Sequence, residues 1–256
     1  LLMGTALSGG LFALFLIASR KLTVENVTIL DNAGWNVVLA NSEDVRLSHV
    51  RILGARATSD GFDVCNSRRV TVADSFVRNW DDAIAIKGVE GFGMGSSPVE
   101  DLTVVRSTFL CDNGWGQPFA VGFETFADRI RRVRIEDCDV LFCTNFLTVY
   151  LAEKAKMDEF AIRNVRVEME KPRAFVKALV GPRKDWDKGA PTGSIAGLTL
   201  EKIAVVSPLL PPSEIVGFSS AANVANVAFR GVTLRGRPVA PEVKLGPFAE
   251  RPEGSS

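Results

Sequence analysis

Histidine is almost missing from this chain of 256 residues: His49 is the only one. That argues against a histidine-based metal site and against a Ser-His-Asp triad. Cysteine is scarce as well. Cys65, Cys111, Cys138 and Cys143 are too few and too scattered for a disulfide framework or a zinc site, so they read as buried thiols. Net charge is absent, because thirty basic residues balance thirty acidic ones and no basic tract occurs. A nucleic-acid partner is therefore not expected. No stretch sustains helical spacing of its apolar residues. Leu1 to Ser19 is charge-free and long enough to span a membrane. It contains three glycines, two serines and a threonine, and it lacks a basic leader region. Its second half fits the repeat below, so we read it as part of the fold and expect no membrane partner.

What is present is a repeat. "LTVENVTI" begins at Leu22, "VRLSHVRI" at Val45, "VTVADSFV" at Val70 and "LTVVRSTF" at Leu102. "VRIEDCDV" begins at Val133, "FAIRNVRV" at Phe160, "LTLEKIAV" at Leu198 and "VAFRGVTL" at Val227. Period-2 alternation with many β-branched residues argues strand. A second short strand precedes several repeats at a fixed offset: Leu14 and Leu16, Val37 and Leu39, Phe62 and Val64. Ser19, Ser42 and Ser67 stand three residues before their repeats, with Asn41 and Asn66 one residue earlier. Identical residues at equivalent turns suit a coiled parallel sheet. The expected fold is all-β: a single-stranded right-handed parallel β-helix, a solenoid of about eight coils. It should occupy residues 1–240, with Val70, Val72 and Val77 facing its lumen. The chain enters the repeat almost at once, as a β-helix without its N-terminal cap would. Residues 181–194 read as a polar loop. No repeat is found from residue 236 on, and 241–256 form a Pro-rich tail, either draped on the solenoid end or disordered. A monomer is expected.

Coils stacked about 4.8 Å apart turn equivalent positions into columns. Aligning "DGFDV", "DAIAI", "QPFAV" and "NFLTV" puts Asp60, Asp82, Gln117 and Asn145 in one column, with Trp35 one coil before Asp60. Asp81 lies beside Asp82. Asp60 shares the parity of inward-facing Phe62 and Val64, so it must lie in the turn before the strand or be buried at high cost. Three carboxyls this close repel one another, and one proton should be retained near neutral pH. That equips a site for acid–base hydrolysis of a glycosidic bond. Turn chemistry and a calcium ion held between the acids are the other readings of the same spacing.

At these residues, "TSDGFDVCNSRRVTVADSFVRNWDDAIAIKG" resembles the polygalacturonase family of glycoside hydrolases, of the pectin-lyase-like superfamily. The resemblance covers roughly residues 14–150. It implies a right-handed parallel β-helix and an inverting hydrolase without metal or other cofactor. It further implies Asp81 as general acid, with Asp60 and Asp82 holding the attacking water. Acid and base carboxyls should then stand roughly 6.5–9.5 Å apart. The family's later motifs depart: Gly116-Gln117-Pro118 stands where Gly-His-Gly is usual, and Thr148-Val149-Tyr150 where Arg-Ile-Lys is usual. Thr148 and Tyr150 cannot form the charged clamp that this Arg and Lys place on a uronate. "PFAVGFETFADRIRRVRIEDCDVL" is similar to the dextranase and isopullulanase family, whose substrates are neutral glucans. A polysaccharide or oligosaccharide is thus expected as substrate, and polygalacturonate as a poor one.

Gln117, Tyr150, Thr148, Lys87, Trp35 and Glu124 are the candidates for sugar binding. Against these stand an exposed lysine at 87, a core tryptophan at 35, a solvated turn at Glu124 and a partly buried aromatic at Tyr150. Trp80 precedes the expected acid and could shape its pocket. Two other functions fit the sequence. One is a non-catalytic β-helix that binds glycans or builds a surface. The other is a calcium-dependent polysaccharide lyase. Secretion or periplasmic export is expected from the resemblance alone.

Overall fold

The computed structural model describes residues 2–3, 12–54, 56–91, 95–111, 116–183 and 189–256. Among them there is no α-helix, and the strands form two large sheets. The eight repeats are the successive strands of one long parallel run. Leu22, Val45, Val70, Leu102, Val133, Phe160, Leu198 and Val227 stand opposite one another from coil to coil. The second sheet runs Leu14–Ile17, Val37–Ala40, Phe62–Cys65, Ile84–Gly88, Phe119–Thr125, Asn145–Leu151, Ala174–Val180, Ser213–Val216 and Val243–Leu245. Every pairing in this second sheet is parallel. The protein is a right-handed parallel β-helix, the hand expected of parallel crossovers.

The lumen is the core. Val70, Val72 and Val77 are fully buried there. Phe109, Phe119, Phe146 and Phe175 stack along its axis, with ring centroids 5.4, 5.6 and 5.5 Å apart in turn. All four cysteines are buried free thiols. Burial pushes the Cys143 thiol well above the usual thiol range, far from the thiolate form that reacts.

The corners repeat as regularly as the strands. Ser19 N–H donates to Ser42 Oγ, and Ser42 N–H to Ser67 Oγ, each at 3.0 Å. Asn41 and Asn66 take left-handed backbone angles at that turn (φ 49° and 47°), which Asn tolerates better than most residues. A second corner, just before each repeat, is also left-handed. It carries Lys21, Asp44, Arg69, Asp101, Arg132 and Glu159 in order. Their signs alternate, and so do those of their neighbours Arg20, Glu43, Arg68, Glu100, Arg131 and Asp158. Arg69 Nε lies 2.6 Å from Asp44, and Arg132 Nε 2.6 Å from Asp101.

The Pro-rich stretch lies along the solenoid end. Val243–Leu245 pairs with Ser213–Val216, and Ala249 and Glu253 bridge to Val224 and Ala228. Of Leu1–Ser19, residues 1 and 4–11 lie outside the described residues, while Leu14–Ile17 is a strand. Residues 184–188 of the expected polar loop also lie outside them. Among the described residues no helix is long and apolar enough to cross a membrane.

Candidate active site

The site lies where the chain enters the second sheet. Phe62 stands opposite Ile84, and Ile84 opposite Phe119, so the residues two places earlier, Asp60, Asp82 and Gln117, sit at equivalent positions on three successive coils. Phe119 faces Leu147, which brings Asn145 to the same position on the fourth coil. Asp60 is in the turn that precedes the strand Phe62–Cys65, and it is also buried, at 3% exposure. Both answers to its parity hold at once, and an ion pair makes the burial tolerable: Lys87 Nζ donates to Asp60 Oδ2 at 2.8 Å.

Two glycines permit this crowding. A Cβ on Gly61 would lie 2.3 Å from the Ala83 carbonyl oxygen, and one on Gly116 only 1.9 Å from that of Asp81. The backbone of Asp81 is held further by Asn79 Nδ2, which donates to its carbonyl at 2.7 Å. Trp80, half-buried, donates its backbone N–H to Ser59 Oγ at 3.1 Å and so fixes the residue just before the acid. Asp82 is 5% exposed and accepts the backbone N–H of Gln117 at 3.0 Å on Oδ1. Asp81 is half-buried and is the most accessible of the three carboxyls.

Burial, reinforced by the charge of Asp60 and opposed by Lys87, raises the Asp81 carboxyl to about 6. Burial, then Asp60 and Asp81, raises Asp82 to about 8. Two protons are thus retained on adjacent carboxyls in weak acid, beside a third carboxyl paired with a cation. A group that titrates near 6 and opens to solvent can give a proton to a bound ether oxygen.

With this geometry in hand the comparison with known proteins is direct. The sequence pattern of the glycosyl hydrolases family 28 matches residues 13–171. The chain belongs to that family. An endo-polygalacturonase of Pectobacterium carotovorum subsp. carotovorum is 23% identical over 133 residues, 51% of this chain and 31% of that protein. A polygalacturonase of Phaedon cochleariae is 24% identical over 179 residues, 67% of this chain and 43% of its own length. The chain therefore spans less than half the length of these relatives. The exopolygalacturonase of Thermotoga maritima shares the fold at 15% identity, with a TM-score of 0.70 over 91% of this chain and 52% of that one.

Within this family 28 chain the expected binding residues are scattered in environment. Gln117 (7% exposed) and Thr148 (7%) are buried close to the site column. Thr148 stands between Ala120 and Lys177 on the outer face of the sheet. Tyr150 is half-buried, donates its hydroxyl to Pro182 O at 2.8 Å and meets Phe123 edge-on at 5.4 Å. Glu124 has Arg183 3.9 Å away, so it is not a solvated turn residue. Trp35 is half-buried against Phe12, with the Lys87 ammonium 3.5 Å from its ring centroid.

Lys87 requires correction. An exposed side chain was the default expectation, but Lys87 is 5% exposed. The reason is Asp60 on one side and Asp63 on the other, each with an oxygen 2.8 Å from Nζ. Asp63 is missed by sequence reasoning altogether. The available signal was its outward position in "FDV", one coil before the outward Lys87. Arg183 and Lys177 are also missed; they lie on the strand face and loop beyond Thr148 and Tyr150, where no repeat phrase draws attention to them.

Proposed function

We propose that this family 28 chain carries the catalytic site of a glycosidase that hydrolyses a polysaccharide or oligosaccharide by inversion, without a metal. Asp81 protonates the leaving glycosidic oxygen while Asp60 and Asp82 orient water on the opposite face of the sugar. The carbon–oxygen bond breaks, water oxygen forms the new bond, and the water proton passes to the Asp60/Asp82 pair. The observation that carries this reading is the partly exposed Asp81, poised near pH 6, beside two buried carboxyls on adjacent coils. The chain is shorter than its relatives, so activity belongs to the proposal. Gln117, Glu124 and Tyr150 are the proposed sugar contacts, and export from the cytoplasm would suit such a substrate.

Lys87 weighs against both calcium readings. It already brings a positive charge to Asp60, which is what a calcium ion would do there. Nor can it serve as the strong base of a lyase. Burial opposes its charge, but Asp63 and Asp60 hold the ammonium well above the usual lysine range.

Polygalacturonate is proposed to be a poor substrate, because Thr148 and Tyr150 cannot grip a uronate and Lys154 is engaged by Ser96 and Asp128 at 2.6 and 2.8 Å. The test is reducing-end release from polygalacturonate, dextran and pullulan, with and without chelator. Hydrolysis of a glucan, unchanged by chelator and reduced about 10² to 10⁴-fold in Asp81→Asn, is the expected outcome. Efficient polygalacturonate cleavage would overturn the substrate reading. Full activity in Asp81→Asn would overturn the catalytic one.

A further inference from the structure

Among the described residues, the most deeply buried charged cluster is not the three-carboxyl group itself but the pair behind it. Asp63 is completely buried and Lys87 nearly so. Phe62 and Val64 fill the lumen, so Asp63 points outward; Ile84 and Ile86 do likewise, so Lys87 also points outward. Asp63 stands opposite Ala85, and Cys65 opposite Lys87. The lysine stem must therefore run back past Ala85 to reach the turn that holds Asp60. The small alanine leaves room for it.

The ammonium has three N–H donors. One hydrogen bond goes to Asp60 Oδ2 at 2.8 Å. Asp63 Oδ1 is equally close, though off the line of a good hydrogen bond. The face of Trp35 closes the remaining side at 3.5 Å, within cation–π range. Surrounded in this way, Lys87 has no side left open to a sugar.

We propose that Lys87 is a positioning residue for the hydrolytic site: it fixes the carboxylate of Asp60 in the orientation that receives the water proton, with Asp63 and Trp35 fixing Lys87 in turn. This rests on the hydrolase reading above. Asp60 is followed by Gly61 and lies in a turn, where nothing in the strand ladder would hold its side chain. Asp81 and Asp82 lie beside it, and any charge on them opposes its own. An unheld carboxylate here would rotate away from the water, and the base would be lost. The charged and titratable groups around Lys87 are Asp63, Asp60, Glu124 and Cys65, with Asp81 and Asp82 beyond Asp60. Burial raises the Asp63 carboxyl well above its usual range while the Lys87 charge pulls it down, which suits a fixed support better than a reactive group.

The test uses Lys87→Met, which keeps the stem, and the double variant Lys87→Met/Asp63→Asn, which also removes the carboxylate that Lys87→Met leaves buried. Melting is followed by circular dichroism. Turnover is measured on the glucan that the panel above selects. The double variant should melt close to the parent, yet lose about 10²-fold in kcat with KM little changed. The acid limb of kcat should move to higher pH, because the positive charge beside the carboxyls is gone. A folded double variant with the parent's kcat and pH profile would overturn the proposal, leaving Lys87 a structural partner. So would a rise in KM alone, which would make Lys87 a substrate contact. Asp60→Asn separates the two levels: if it retains activity, the hydrolase reading fails; if it is inactive while the double variant is normal, only the role of Lys87 fails.

Discussion

Asp82→Asn should make the protein more stable and less active at once. Asp82 is buried at 5% exposure, and burial with two neighbouring carboxyls raises it to about 8. In the unfolded chain it titrates near 3.8, as an ordinary aspartate does. Between these limits the folded state binds the extra proton, so stability is full below about pH 4 and falls as pH rises toward 8. At pH 7 the gap of about three units is worth up to roughly 4 kcal/mol at about 1.4 kcal/mol per unit. Asp81 titrates with Asp82, and sharing the proton trims this to roughly 2–4 kcal/mol. Asparagine is neutral at every pH, nearly isosteric, and keeps an oxygen to accept the Gln117 N–H. Thermal melts should therefore show Asp82→Asn above the parent by roughly 5 °C or more at pH 7 to 8, and close to it at pH 4. Activity should fall at every pH. A melting difference that does not grow between pH 4 and 8, or one that favours the parent at pH 8, would refute the argument.

Two other substitutions test the scaffold. Gly116→Ala places a methyl 1.9 Å from the Asp81 carbonyl oxygen, so the Asp81 backbone must move. Activity should drop about 10²-fold, the usual effect of displacing a catalytic group by an ångström, measured as reducing-end release. Phe146→Ala removes the ring between Phe119 and Phe175 in the lumen. It should cost about 3–5 kcal/mol in a denaturant titration, and a loss below about 1 kcal/mol would mean that the aromatic stack is not the core it looks like.

The fold was legible because a solenoid writes its architecture in one dimension. Each coil must bury the same positions, so Leu22, Val45 and Val70 recur in phrase and in space alike. The register of Asp60, Asp82 and Gln117 followed from the same rule. What the strand pattern could not convey is the direction of long side chains. Lys87 follows an apolar run and reads as a strand end at the surface, but its stem folds back along the outer face of the sheet to a turn two residues before the neighbouring strand. Asp63 looked like the polar half of an alternation. Nothing in "FDV" announces that a lysine from the next coil will lie against it. Arg183 escaped notice because it sits in a loop, where no periodicity constrains what lies nearby.

The alternating corners at Lys21, Asp44, Arg69, Asp101, Arg132 and Glu159 repeat every two coils, whereas the apolar phrase repeats every one. A strand that skipped one neighbour would still satisfy its valines and leucines. It would, however, set Asp44 beside Asp101 and Glu43 beside Glu100. Skipping two would restore opposite signs, Asp44 against Arg132. The charges thus act as a parity check on coil order. They contribute little as individual exposed pairs, but they separate the correct stacking from one that skips a single coil, which an apolar repeat alone would accept. Shortening the solenoid by whole pairs of coils should preserve this check, and shortening it by one should break it.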